Sequence, residues 1–197
     1  MKCQYCGENK QLIKAHIIPA SFFKPLRSDN GDVTYLMTVM QGEFPKKSQT
    51  GVYDKTILCR VCEDQFAQWD EYGFKTLVDG AKQLKPLYDQ KKLLAFILPQ
   101  VDIDQLNRFL LSVLWRASVS SQDFYKQVNL GAYQDKIQSI LENNTVLGND
   151  EYSLLISRFD DQYFGSTMLD PRLEKWDGVN YYRIYLGGFI AHIKIEP

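Results

Sequence analysis

LCRVCE, residues 58–63, joins an apolar approach to two cysteines separated by two residues, followed at once by an acidic side chain and a run with helical patterning. A Cys-x-x-Cys turn aims both sulfurs at one point, the geometry a tetrahedral ion demands. Reading outward toward the N-terminus, the same spacing recurs in Cys3-Gln-Tyr-Cys6, where Gly7 supplies the backbone freedom of a tight knuckle. Two knuckles complete a closed shell in which Cys3, Cys6, Cys59 and Cys62 bind one structural Zn²⁺. Four thiols paired by such spacing point to metal rather than to disulfides, as in a reducing compartment.

The rest of the composition sets wide bounds. The chain has 197 residues with 45% apolar content, enough for one substantial domain or a small module joined to a larger one. Twenty-three Lys and Arg against 24 Asp and Glu leave a net charge of −1, so any contact with nucleic acid has to come from a local patch. No apolar run reaches the length that crosses a bilayer, and MKCQYCGENK lacks a secretory apolar segment, so a cytoplasmic location with no membrane partner is expected.

Between the knuckles lies AHIIPASFF, residues 15–23, which carries His16, one of only two histidines. Leu12 to Ile18 reads as a short β-like run that Pro19 terminates. Asp54 to Cys59 reads as a second apolar strand ahead of the second knuckle. From Glu63 to about Leu77, Phe66, Trp69, Tyr72 and Phe74 recur at partly helical spacing. The order is therefore knuckle, strand with histidine, long loop, strand, knuckle, helix.

CQYC, AHIIP and LCRVCE in this order resemble the zinc-stapled branch of the HNH, or His-Me finger, endonucleases, over roughly residues 1–75. The resemblance implies a treble-clef, ββα-metal-like module. It also implies a metal-dependent nuclease on DNA or RNA, of the kind used in defence and mobile elements. On this match His16 aligns with the general base, Asp54 with the family's middle asparagine and Glu63 with its final histidine, while Ala15 stands where many members carry a further metal-binding Asp or His. The implied chemistry is hydrolysis of a phosphodiester with Mg²⁺ or Mn²⁺, with carboxylates of Asp54 and Glu63 serving a hard cation. The residues also admit a different reading: Glu63 favouring a helix N-terminus, Asp54 closing a turn and His16 bonding to backbone. The chain would then be a catalytically silent zinc module that binds nucleic acid or a protein partner. Phe22, Phe23, Lys24, Arg27, Lys46 and Lys47 mix aromatics with cations in the loop, the chemistry of base stacking and phosphate neutralisation.

Residues 76–197 carry no further metal motif. Leu106, Phe109, Leu110, Val113, Leu114 and Ala117 mark the buried face of a helix capped by Asp102 or Asp104, with Trp115 and Arg116 at its edge and Arg116 snorkelling outward. A shorter helix is expected over Tyr133–Glu142, ended by Asn143, Asn144 and the Gly148-Asn149-Asp150 turn. A strand is expected over Tyr152–Phe159, and a hairpin over Val179–Leu186 and Phe189–Ile195 around Gly187-Gly188. His192, in the last strand, reads as structural. The fold class is α+β: an N-terminal four-cysteine module, a helical middle and a small C-terminal antiparallel sheet, able to serve specificity or assembly.

Overall fold

The computed structural model describes residues 1–26, 34–38, 40, 42–147, 152–158 and 167–195. Its elements run β1 (Ala15–His16), β2 (Thr34–Met37), β3 (Lys46–Ser48), β4 (Tyr53–Asp54), α1 (Arg60–Phe74), β5 (Lys85–Asp89), β6 (Lys92–Ile97), α2 (Ile103–Val119), α3 (Tyr133–Glu142), β7 (Leu154–Arg158), β8 (Thr167–Leu169), β9 (Arg172–Trp176), β10 (Val179–Leu186) and β11 (Phe189–Lys194). Arg27, the 148–150 turn and Phe159 lie outside the described residues.

The α+β class holds. The C-terminal strands form an antiparallel sheet of order β7-β11-β10-β9, and the hairpin turn falls at Gly187-Gly188 as its glycines dictate. Two-residue periodicity separates that sheet's faces. Tyr182, Ile184, Ala191 and Ile193 enter the core, while Arg183 and His192 stand opposite one another on the other face. His192 sits against Trp176 and 3.4 Å from Glu174, in packed surroundings.

Helix α2 is the centre of the molecule. Asp102 is its cap, accepting from the Gln105 backbone N–H at 3.1 Å. All six residues of the expected stripe are buried, but so are Trp115 and Arg116, which are fully enclosed. The expectation that Arg116 snorkels to solvent is therefore corrected. The reason is tertiary: α1 and α3 both pack on α2, and β11 touches it too, so positions beside the stripe are also covered.

The N-terminal knuckle is tied into the same core. The Tyr5 ring lies 4.7 Å from Phe66 on α1 and 5.2 Å from Trp115 on α2, both edge-on. Gln138 on α3 donates to the Tyr5 carbonyl at 2.6 Å. Phe22 and Phe23 are buried, Phe22 stacking on Phe109 at 5.3 Å, so these two aromatics pin the loop to the core and present no stacking surface. Gly73 permits the close approach of α1 to α2, because a methyl group there would collide with the Phe109 ring.

Candidate functional site

The four cysteines converge as their spacing requires. Their sulfurs all lie within 4.8 Å of one another, with Cys3 3.8 Å from Cys62, Cys6 4.0 Å from Cys59 and Cys59 3.5 Å from Cys62. Each knuckle is shaped by backbone. Gly7 adopts φ 70° and donates to the Cys3 carbonyl at 3.0 Å, while the Cys59 N–H donates to the Cys3 sulfur at 3.4 Å. Burial alone would raise the Cys3 thiol, yet the N–H groups of Cys6, Cys59 and Tyr5 hold it down to about 7. Burial and neighbouring thiols push Cys62 up. Such a set could hold one metal ion, and four sulfur ligands would leave no position open for substrate.

Beside this cluster, β1 and β4 pair antiparallel with Ala15 opposite Asp54 and His16 opposite Tyr53. Residues directly opposite share a face and neighbours in a strand alternate. His16 and Tyr53 thus lie on one face, Ala15 and Asp54 on the other. Burial agrees: Ala15 and Asp54 are enclosed, whereas Tyr53 is exposed.

Asp54 spends its carboxylate on the fold. Oδ1 accepts from the Thr56 N–H (2.8 Å) and hydroxyl (2.6 Å), while Oδ2 accepts from the Ser120 hydroxyl (3.1 Å), the Ser121 N–H (2.8 Å) and the Ser121 hydroxyl (2.9 Å). Burial works against the charge, but those hydrogen bonds outweigh it and hold the group at about 2. The acid thereby clamps β4 to the chain leaving α2.

Glu63, in the first turn of α1, receives the backbone N–H of His16 and not its imidazole. Its Oε2 is buried without a partner, and burial raises the acid despite Arg116 nearby. The carbonyl of His16 accepts from Arg116 Nη1 at 3.0 Å. The free edge of β1 is therefore closed by a carboxylate on one group and a guanidinium on the other. The imidazole itself, with Nε2 unpartnered, has its pKa lowered below the ordinary histidine value by burial and by the charges of Lys14 and Arg116.

Sequence reasoning missed the buried ion pair behind this edge. Arg116 places five hydrogen bonds: two on Asp70 at 2.6 and 2.9 Å, two on the Ser112 carbonyl and hydroxyl, and one on the His16 carbonyl. The signal was present, since Arg116 falls three residues after Val113 and seven after Phe109, on the apolar face itself. Among the described residues, the cysteines form the only group of three or more potential ligands close enough to share an ion. His16, Asp54 and Glu63 surround one strand without converging. On the outward face, the Lys14 ammonium sits 3.7 Å above the Tyr53 ring, and across the Gly51 turn Lys47 lies 5.9 Å from the Tyr35 ring.

No family model, curated protein or solved structure matches the chain. Among the described residues no helix is long and apolar enough to cross a membrane.

Proposed function

We propose that the chain is a zinc-stapled module of HNH type that binds nucleic acid without cutting it. The observation that carries this reading is the placement of Asp54 and His16 on opposite faces of the β1–β4 pair, with every strong acceptor position of Asp54 already used. A hydrolytic ion needs acidic ligands that converge beside the general base. Here Ala15 offers none, Asp54 faces away, and Glu63 is turned to the backbone. Arg116 supplies the positive charge next to Glu63 that an ion would otherwise bring.

Zinc is supported by the sulfur spacing. Four thiolates at about 2.3 Å from one ion stand roughly 3.8 Å apart in a regular tetrahedron; three of the six sulfur pairs lie 3.5–4.0 Å apart and all lie within 4.8 Å. In this reading Cys3, Cys6, Cys59 and Cys62 fix the treble-clef fold, while Lys14 with Tyr53 and Lys47 with Tyr35 meet phosphates and bases.

A second reading, hydrolysis with Mg²⁺ or Mn²⁺, draws on the imidazole of His16, whose pKa is lowered by burial and whose Nε2 has no partner. One experiment separates the two. Zinc-loaded protein is titrated against labelled single- and double-stranded DNA and RNA at two salt concentrations, and each sample is then incubated with Mg²⁺ or Mn²⁺. Salt-sensitive binding is expected, weakened at least several-fold by Lys14→Ala with Lys47→Ala, with substrates intact after incubation. Cleavage that His16→Ala lowers by roughly 10²-fold or more makes the nuclease reading correct. Absence of both binding and cleavage rejects both.

A further inference from the structure

Across β9, β10 and β11 the register places Arg172 opposite Arg183 and Arg183 opposite His192, a row of nitrogen-bearing side chains on the outer face of the C-terminal sheet. Residues directly opposite have Cβ atoms about 4.5–5.5 Å apart, and like charges in that relation are destabilising. Two arginines therefore face one another with too little negative charge between them. Glu174 is the single acid on this face among the described residues, and it serves both Arg183 Nη1 at 2.5 Å and His192 Nε2 at 3.4 Å. Asp170, close before Arg172 in the chain, is buried and accepts from Thr38 Oγ1 at 2.6 Å. Nε of Arg172, Nε of Arg183 and Nδ1 of His192 are all buried without a hydrogen-bond partner, although buried polar atoms ordinarily have one. His192 as a whole retains only 8% of its surface.

We propose that this row is a phosphate clamp for a single strand of nucleic acid, with a neighbouring base stacked on Trp176. The proposal rests on the nucleic-acid reading above and adds to it a second surface and the form of the strand. A backbone phosphate seated between the opposed guanidiniums supplies the anion the row lacks, and the planar fork of arginine matches phosphate oxygens. Arg172, Arg183 and Lys194 share this face against Glu174, so the face is cationic although the whole chain carries −1. Trp176 follows Glu174 at the two-residue period and so lies on the same side. It keeps 37% of its surface open, with its ring propped by Tyr181 at 4.8 Å and His192 at 4.5 Å. A ring already fixed on a cationic sheet loses little freedom when a base stacks on it, and an unpaired, splayed base presents the face such stacking needs.

The test is fluorescence anisotropy of the full-length, zinc-loaded chain with labelled oligo(dT), oligo(rU) and a duplex of equal length, over a range of salt concentrations. Wild type is expected to bind the single strands more tightly than the duplex. Arg172 has no ion pair or hydrogen bond among the described residues. Arg172→Gln should therefore weaken single-strand binding several-fold and flatten its log–log salt dependence by about 0.7, the share of one phosphate, while the melting temperature holds or rises as the like-charge pair is relieved. Trp176→Leu should weaken binding roughly 5- to 100-fold with the salt slope unchanged. Lys14→Ala with Lys47→Ala, in the same assay, keeps the two surfaces apart. Binding that falls with those lysines but ignores both Arg172→Gln and Trp176→Leu overturns the clamp and leaves the reading above standing. A wild type that binds none of the three probes overturns both. Equal losses on duplex and single strand overturn the assignment to single strands, and a lowered melting temperature in Arg172→Gln overturns the clamp by giving that arginine to the fold.

Discussion

At the scale of single residues, Asp54 shows how one carboxylate can be given wholly to structure. It is buried and accepts five hydrogen bonds from three residues. Its folded value of about 2 lies below its ordinary 3.8. A depressed carboxylate contributes stability that is complete above its unfolded value and is lost as pH falls through its folded one. The clamp should therefore be at full strength above about pH 4 and vanish toward pH 2, a difference on the order of 2 kcal/mol. Urea titrations of wild type and Asp54→Asn across that window check this: wild type should lose more stability than the variant, and parallel curves would deny Asp54 the role. At neutral pH, Asp54→Ala should cost about 2–4 kcal/mol, because it strands the Thr56 and Ser121 donors. The cysteines were legible at this scale because two-residue spacing is a local signal. The facing of His16 and Asp54 was not, because it depends on register between segments nearly forty residues apart.

At the scale of elements, the α1–α2 contact combines two features that sequence separates widely. Gly73 lets the helices approach, and Arg116 with Asp70 closes the interface beneath β1. Alanine is the better helix former by about 1 kcal/mol, yet Gly73→Ala should destabilise by about 1–3 kcal/mol because Phe109 fills the space. Thermal melts decide the sign. Arg116→Met should cost more, about 3–5 kcal/mol, since Asp70 would remain buried without its cation and Glu63 would lose a favourable charge. Adding Asp70→Leu should recover much of that loss, and a double variant no better than Arg116→Met alone would deny that the two residues act as a pair. Element types were readable where periodicity was sustained: Tyr133–Glu142 falls where its pattern put it, and the C-terminal hairpin is placed to within a residue. The strand expected over Asp54–Cys59 shrinks to Tyr53–Asp54, with Ile57 and Leu58 buried as irregular chain and Cys59 bridged to Leu12. The β5–β6 arm was not read at all, since its apolar residues follow neither period cleanly across a bulge and its surface has no core to face.

For the molecule as a whole, the four-cysteine cluster and the distant sheet share one hydrophobic interior. The buried core runs from Cys3 through Phe66 and Trp115 to Ile193 and Ile195. Tyr5, lying between two of the clustered cysteines, touches both Phe66 and Trp115, and its carbonyl is held by Gln138 on α3. Loosening the knuckle therefore disturbs three helices, and α2 passes that disturbance to β11. Structural metal sites of this kind contribute on the order of 10 kcal/mol or more to folding in small peptides, comparable to the whole stability of a typical domain. Chelation, or Cys59→Ser, should accordingly lower the melting temperature of the entire chain in one transition, with near-ultraviolet signals from Trp69, Trp115 and Trp176 disappearing together. Calorimetry at matched protein concentration makes the comparison. Two separated transitions, one metal-dependent and one not, would instead establish that residues 1–75 and 76–197 unfold as independent units, and that the aromatic bridge through Tyr5 carries little of the coupling assigned to it.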